Sequence, residues 1–425
     1  MLKVVMRNIL KFATFKTPEV GAYIPSATNT RSKFPPPLVG MFLFLGTLLS
    51  LPDAHAAKFV AFFAPALDLI TNLLPLFFVP GLIVTPAAMQ GVLLVDFVKF
   101  FGVVSLGMIA ITVKSMYVVE FVMRMCKIQQ PRSQQPRLAK KGEFTSWFSR
   151  ELEHLFGVLT VVTGILALWA PSVQQLYFAS ASVFAFVFSS RLPRFLSPHV
   201  AKFLHPLIPT YFLCTALFMA QGALRGKGLI ALLGEYLVAG GQWNKAAGNF
   251  IMFFLEPAII SFAFGLFARK KLLQENSMAI VAGAFSSSFV GILIMAALVR
   301  TLIVRDDLGK ALMPRATAAL AIVQANMIGA STALTTVHCC LIGVLGANFG
   351  PPILAALGVT NPISRGVGLG GGGLAIAAAS LAGPDPAAFP FAVLSMTLTS
   401  TMSTFLYAMP WFQRLVFWVA GVSQV

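Results

Sequence analysis

Two short stretches carry residues from which chemistry could be built. Residues 255–266 read LEPAIISFAFGL and residues 312–323 read LMPRATAALAIV. Both run leucine, one residue, proline, then small and hydroxyl-bearing residues, then an apolar tail. Proline inside a membrane-crossing segment removes a backbone hydrogen bond and breaks the helix. It also suits the first turn of a new helix, so Pro257 and Pro314 would each open a half-helix. Such an N-terminus carries about half a positive charge and free N–H groups. That suits a small anion without leaving a full charge stranded when the site empties. Ser261, Thr317 and Thr336 fall within reach of the two mouths.

A third stretch, RGVGLGGGG at 365–373, places six glycines within eight residues directly after an arginine. Glycine costs roughly 1 kcal/mol against alanine inside a helix, so the run marks a place where backbone bends or is closely approached. Two readings stand: close helix packing through Gly366-x-x-x-Gly370, or packing that also borders a ligand at Gly370, Gly371, Gly372 and Gly373. In the second, Arg365 supplies the fork for a carboxylate. GVGLGG matches a dinucleotide loop in letters only, because no strand-turn-helix context surrounds it.

Ionisable residues at membrane depth are functional candidates because they are expensive to keep there. Glu256 either couples transport to protons or is a neutral acid bonded to a neighbouring helix. Arg315 either meets the anion or sits at a membrane edge. His338 is a packing residue or a proton relay, and Gln324 and Asn326 line a cavity or tie helices together. Enzyme chemistry finds no footing: no G-x-S-x-G, H-E-x-x-H, P-loop or paired acidic cluster occurs, and Asp306-Asp307 adjoins Arg305 in a mixed-charge loop. The four cysteines lack metal-ligand spacing, so no metal, no cofactor and no disulfide framework is expected.

The elements that must hold these residues are membrane helices. Of 425 residues 57% are hydrophobic and 11% charged, against about 25% charged in soluble domains. The mean hydropathy is +0.83. About twelve apolar runs of spanning length recur between residues 37 and 409, so the expected fold is an all-α polytopic membrane protein. Two or more of its helices are broken or re-entrant, from an internal repeat. The net charge of +17 falls in the connections and reads as topology rather than nucleic-acid binding. The polar segment around 127–150 separates the chain into a basic tail at 1–35, a short transmembrane unit at 36–126, a basic linker at 127–153 and a larger unit at 154–425. The tail has the composition of an organellar transit peptide or a basic extension.

PPPLVGMFLFLGTLLSL (35–51) and LLPLFFVPGLIV (73–84) resemble the holin-like LrgA/CidA unit. HPLIPTYF (205–212), LEPAIISFAFGLFARKKLL (255–273), LMPRATAALAI (312–322), IGVLGANFGPPIL (342–354) and NPISRGVGLG (361–370) resemble its LrgB/CidB partner. The fused order and the tail are most similar to the plastidal members of this family. The resemblance implies a secondary carrier of small hydroxy-monocarboxylates, glycolate and glycerate, in the photorespiratory traffic across the plastid inner envelope. It further implies alternating access, exchange or proton coupling, a lipid-bilayer setting and a homodimer. The bacterial relatives imply a rival: a holin-like pore or regulator of murein hydrolases and cell death. Where the family carries Ser-His-Gly-x-Gly-Thr-Ala, this chain reads Gly373-Leu374-Ala375-Ile376-Ala377-Ala378-Ala379. Glu256 also stands where the family usually has a small uncharged residue.

Overall fold

The computed structural model describes residues 36–77, 79–126, 143–196, 206–238, 242–381 and 385–423. The transit-peptide-like tail at 1–35 and most of the basic linker, 127–142, lie outside the described residues. All secondary structure among the described residues is helical. In chain order the main helices are α1 (Pro36–Ser50), α2 (Asp53–Phe77), α3 (Leu94–Met125), α4 (Glu143–Trp169), α5 (Gln174–Arg191) and α6 (Leu207–Arg225). There follow α7 (Leu229–Tyr236), α8 (Ala247–Phe253), α9 (Leu255–Ala268), α10 (Ser277–Phe285), α11 (Gly291–Thr301) and α12 (Asp306–Leu312). The chain ends in α13 (Ala318–Met327), α14 (Thr332–Ala356), α15 (Pro362–Ser380), α16 (Phe389–Tyr407) and α17 (Pro410–Ala420).

Seven helices among the described residues are long and apolar enough to cross a membrane, not the twelve expected from the apolar runs. Apolar composition does not guarantee an unbroken helix of spanning length. The run at 316–330 yields only the ten residues of α13, the run at 37–52 the fifteen of α1. The run at 366–382 falls in α15, whose backbone breaks at Leu374. Two pairs of helices merge into single spans: α8 with α9, across a turn at Phe254, and α10 with α11, across a π-helical turn at Ser286–Val290.

Contacts group the chain into two units that interleave along the sequence. One comprises 73–91 and 136–255, the other 1–72, 92–135 and 256–425. In the unit of 136–255, α4, α5 and α6 pack side by side around Tyr177, Phe178, Phe218 and Tyr236, whose ring centroids approach to 4.7 Å. Several of its buried polar groups pair within the unit. The Tyr236 hydroxyl lies 2.9 Å from Ser182 Oγ, and the Gln175 amide bridges Glu235 O at 3.0 Å and Ala247 N at 2.7 Å. Helix α6 stops where Gly226 takes a left-handed conformation, φ 66°, the geometry that glycine adopts without strain.

The other unit is built around α15, on which α3, α14 and α16 pack. The glycine spacing explains how three helices reach one. Gly366 and Gly370, four apart on one face, meet α16: a Cβ at Gly370 would stand 2.2 Å from Ala392 O. Gly368 and Gly372, four apart on another face, meet Thr112 and Met116 of α3. Gly373 meets Gly346 of α14, and Gly371 meets Ser287 of the π-helical turn. Side chains at these positions would push the neighbours outward, so the run is a close-packing device on three sides.

Candidate functional site

The chain between α12 and α13 is non-helical over residues 313–317. Pro314 has no backbone N–H to continue the ladder, so α12 ends at Leu312 although Met313 still has helical dihedrals, φ −78° and ψ −33°. Thr317 is extended, with φ −56° and ψ 150°, and begins α13. Helix α16 ties this link down. Tyr407 OH donates to Met313 O at 3.0 Å, the Thr317 N–H donates to Ser400 Oγ at 2.9 Å, and Gln324 Nε2 donates to Thr404 Oγ1 at 2.8 Å. The other end of the Gln324 amide accepts the Arg315 N–H at 2.9 Å.

Arg315, in the middle of the link, is 0% exposed and the largest fully buried side chain described. Its Nη2 donates to Gly371 O at 2.6 Å and Gly372 O at 3.0 Å. Those carbonyls lie in the last turn before Leu374, whose φ of 59° and ψ of −140° interrupt α15. Carbonyls in a last turn lack partners within their own helix, and the end that carries them is electronegative. A guanidinium is therefore well placed there. A bulky residue at positive φ costs about 1–3 kcal/mol, so the surroundings must hold it.

What Arg315 lacks is as informative. Its Nε and Nη1 are buried with no hydrogen-bond partner. Among the described residues no carboxylate lies within ion-pair distance of it. An uncompensated buried charge costs several kcal/mol even after relaxation. Two further polar groups beside it are unsatisfied: the Thr317 hydroxyl, and His338 on α14, whose ring nitrogens lie by the Pro314 carbonyl without hydrogen-bond geometry. Arg315, Thr317 and His338 thus each bury polar atoms that no described group satisfies.

The structure thus brings together Pro314, Arg315, Thr317, Gln324, His338 and the strip Gly370 to Gly373. Other residues singled out from the sequence lie elsewhere. Arg365, at the start of α15, is ion-paired through Nε to Asp385 Oδ2 at 2.6 Å and donates from Nη1 to Val359 O at 3.2 Å. Pro257 is buried in the first turn of α9, while Ser261 donates to Ala258 O of its own helix at 2.6 Å. Glu256 and Asn326 are exposed, and Thr336 donates to Thr332 O one turn back at 2.8 Å. Ser400, Thr404 and Tyr407 were missed by sequence reasoning. Their signal was seven serines and threonines among residues 395–404, an unusual density for a membrane helix.

The family model of the LrgB-like family matches residues 182–413. The chain belongs to the LrgB-like family, whose members are transporters and not enzymes. It is similar to "Plastidal glycolate/glycerate translocator 1, chloroplastic" of Arabidopsis thaliana, 28% identical over 401 residues, 92% of this chain and 76% of that protein. No solved structure matches it.

Proposed function

Taking membership of the LrgB-like family as the premise, we propose that this multi-pass membrane protein carries small hydroxy-monocarboxylates, glycolate and glycerate first among them. The single observation behind this reading is Arg315: fully buried, without a carboxylate partner, and with two donors unused. A carboxylate that pairs with Nε or Nη1 supplies the missing counter-charge, and charge-assisted hydrogen bonds of this kind are about twice as strong as neutral ones. The acid's hydroxyl then pairs with Thr317 Oγ1 or a ring nitrogen of His338. A neutral solute satisfies the hydrogen bonds but not the charge, which gives the site its preference for anions.

Alternating access follows from the two irregular segments that meet at the site. The 313–317 link and the break at Leu374 are the places where backbone can rotate without unwinding a helix. Arg315 joins them, so a bound anion that draws the guanidinium away from Gly371 and Gly372 acts on both. The relative's name and the basic composition of residues 1–35 support a plastid envelope as the setting, with exchange of one acid for another as the mode.

The test is uptake of labelled glycolate and glycerate into liposomes containing the purified protein, with and without unlabelled acid inside. Saturation, stimulation by the internal acid and loss in Arg315→Gln are the expected results. Linear, unsaturable leak of unrelated solutes would instead establish a pore.

A further inference from the structure

A second cation lies close to the glycine strip, on a helix outside the segment that matches the LrgB-like family. Lys114 belongs to α3, well inside a 32-residue apolar helix. A lysine at such depth is costly, and long side chains near helix ends usually relieve the cost by reaching outward to the headgroups. Lys114 does the opposite. Its ammonium turns inward and donates to Ser286 O, the first carbonyl of the π-helical turn, which also accepts the Gly291 N–H. π-Turns within α-helices occur frequently at functional sites.

The neighbouring contacts lead straight to Arg315. Ser115 Oγ, the next residue on α3, lies 2.7 Å from Ser287 Oγ. Ser287 Oγ in turn covers Gly371, and Thr112, about half a turn back on α3, covers Gly372. These are the two glycines whose carbonyls hold Arg315. Lys114 and Arg315 are within electrostatic range of each other, Arg315 bonded to the glycine carbonyls from the 313–317 link and Lys114 bonded to the π-helical turn that packs on the same glycines. Among the described residues no ion pair involves Lys114 or Arg315: of the α3 carboxylates, Glu120 pairs with Arg124 and Asp96 with Arg305, and the groups that act on Lys114 are the Ser286 carbonyl and Arg315. On its outer side half-buried Lys114 lines a groove with Ile109, Val113, Tyr117 and Phe121.

We propose that Lys114 is a second cationic contact for the carried anion, supplied to the transport site by α3. This rests on the anion-carrier reading above and deepens it. Two like charges held near one backbone strip without an acid repel each other until an anion comes between them. The ammonium's bond to the Ser286 carbonyl is then its resting position, exchanged for the carboxylate when the acid arrives. Segment 94–125 accordingly belongs to the transport machinery rather than only bracing it.

Liposome exchange of labelled glycolate in wild type, Lys114→Gln and Lys114→Arg tests this. Lys114→Gln should raise the half-saturating concentration about tenfold or more with little change in maximal rate, and Lys114→Arg should restore most of it. In the wild-type protein an amine-methylating reagent, read by mass spectrometry at Lys114, should react more slowly with glycolate present but not with neutral ethylene glycol. An unchanged half-saturation in Lys114→Gln alongside a lowered thermal midpoint, or labelling indifferent to glycolate, would overturn the proposal and leave Lys114 a staple of the π-turn. Wild-type protein without saturable acid uptake would overturn the carrier reading and this inference together. Normal wild-type saturation with an indifferent Lys114 would overturn this inference alone.

Discussion

Arg315 and Arg365 sit at the two ends of the same glycine strip and show what a buried charge means with and without a partner. Arg365 keeps 21% of its side chain exposed and has Asp385 at 2.6 Å. Arg315 has no exposure, no acid and two idle donors. The first is a tie: it fastens the start of α15 to the chain that follows it, since Asp385 Oδ1 also accepts the Ala388 N–H at 3.2 Å. The second is held by backbone carbonyls alone, and the proposed anion site rests on it. An arginine next to a glycine run is thus less informative than an arginine whose counter-charge is missing.

Substitution should separate the two arginines, with the largest effect at Arg315. Removing one partner of a buried, hydrogen-bonded charge pair costs about 2–5 kcal/mol of binding, roughly 30-fold to several-thousand-fold in half-saturation. Arg315→Gln should lose acid uptake on that scale, whereas Arg365→Gln should keep wild-type half-saturation. Equal losses in the two variants would break the distinction drawn here.

Next in size are the glycines between them. Gly370→Ala would press a methyl group on the Ala392 backbone, and overpacking of this kind costs about 1–3 kcal/mol. The thermal midpoint of the solubilised protein should fall accordingly. Gly234→Ala, where nothing lies within 4 Å of the added atom, should leave it unchanged or slightly raised.

The Arg365–Asp385 tie comes third. A partly exposed ion pair contributes up to about 1 kcal/mol, so Asp385→Asn should lower the thermal midpoint slightly and leave uptake intact. A large transport defect in Asp385→Asn would move the tie into the site.

The smallest effect expected is at the exposed Asp306, whose carboxyl lies below the usual carboxylate value of 3.8 because it accepts hydrogen bonds from the side chain and backbone of Ser423. A carboxyl depressed in the folded state stabilises it above the ordinary value and loses that contribution as pH falls through the depressed one. Acid titration below about pH 4 should therefore free the chain at Ser423, seen as faster hydrogen exchange there, and Asp306→Asn should remove the pH dependence.

Some of this was legible from residues alone. That the chain is helical and spans a membrane follows from composition, because a segment with few charges and no alternation can satisfy its backbone in lipid only as helix. That glycines at 366–373 meant close approach was legible as well, since a helix tolerates so many only where neighbours need the room. Pro314 marked the end of a helix for a reason internal to its own ring. Which apolar runs form whole spans was read wrongly: α13 is cut short locally, between the Pro314 link and Gly329 at φ 65°, whereas no proline or glycine stands at Leu374 to mark the break there.

Local properties were written in the residues: helix type, the proline break at 314, positions without side chains and the scarcity of charge. Which arginine is paired depends on the folded arrangement of distant segments. Asp385 lies 20 residues beyond Arg365, and the carbonyls that hold Arg315 lie 56 and 57 residues beyond it. No periodicity encodes such distances. Charge compensation is a property of space rather than of chain order, because Coulomb energy depends on separation and surrounding dielectric.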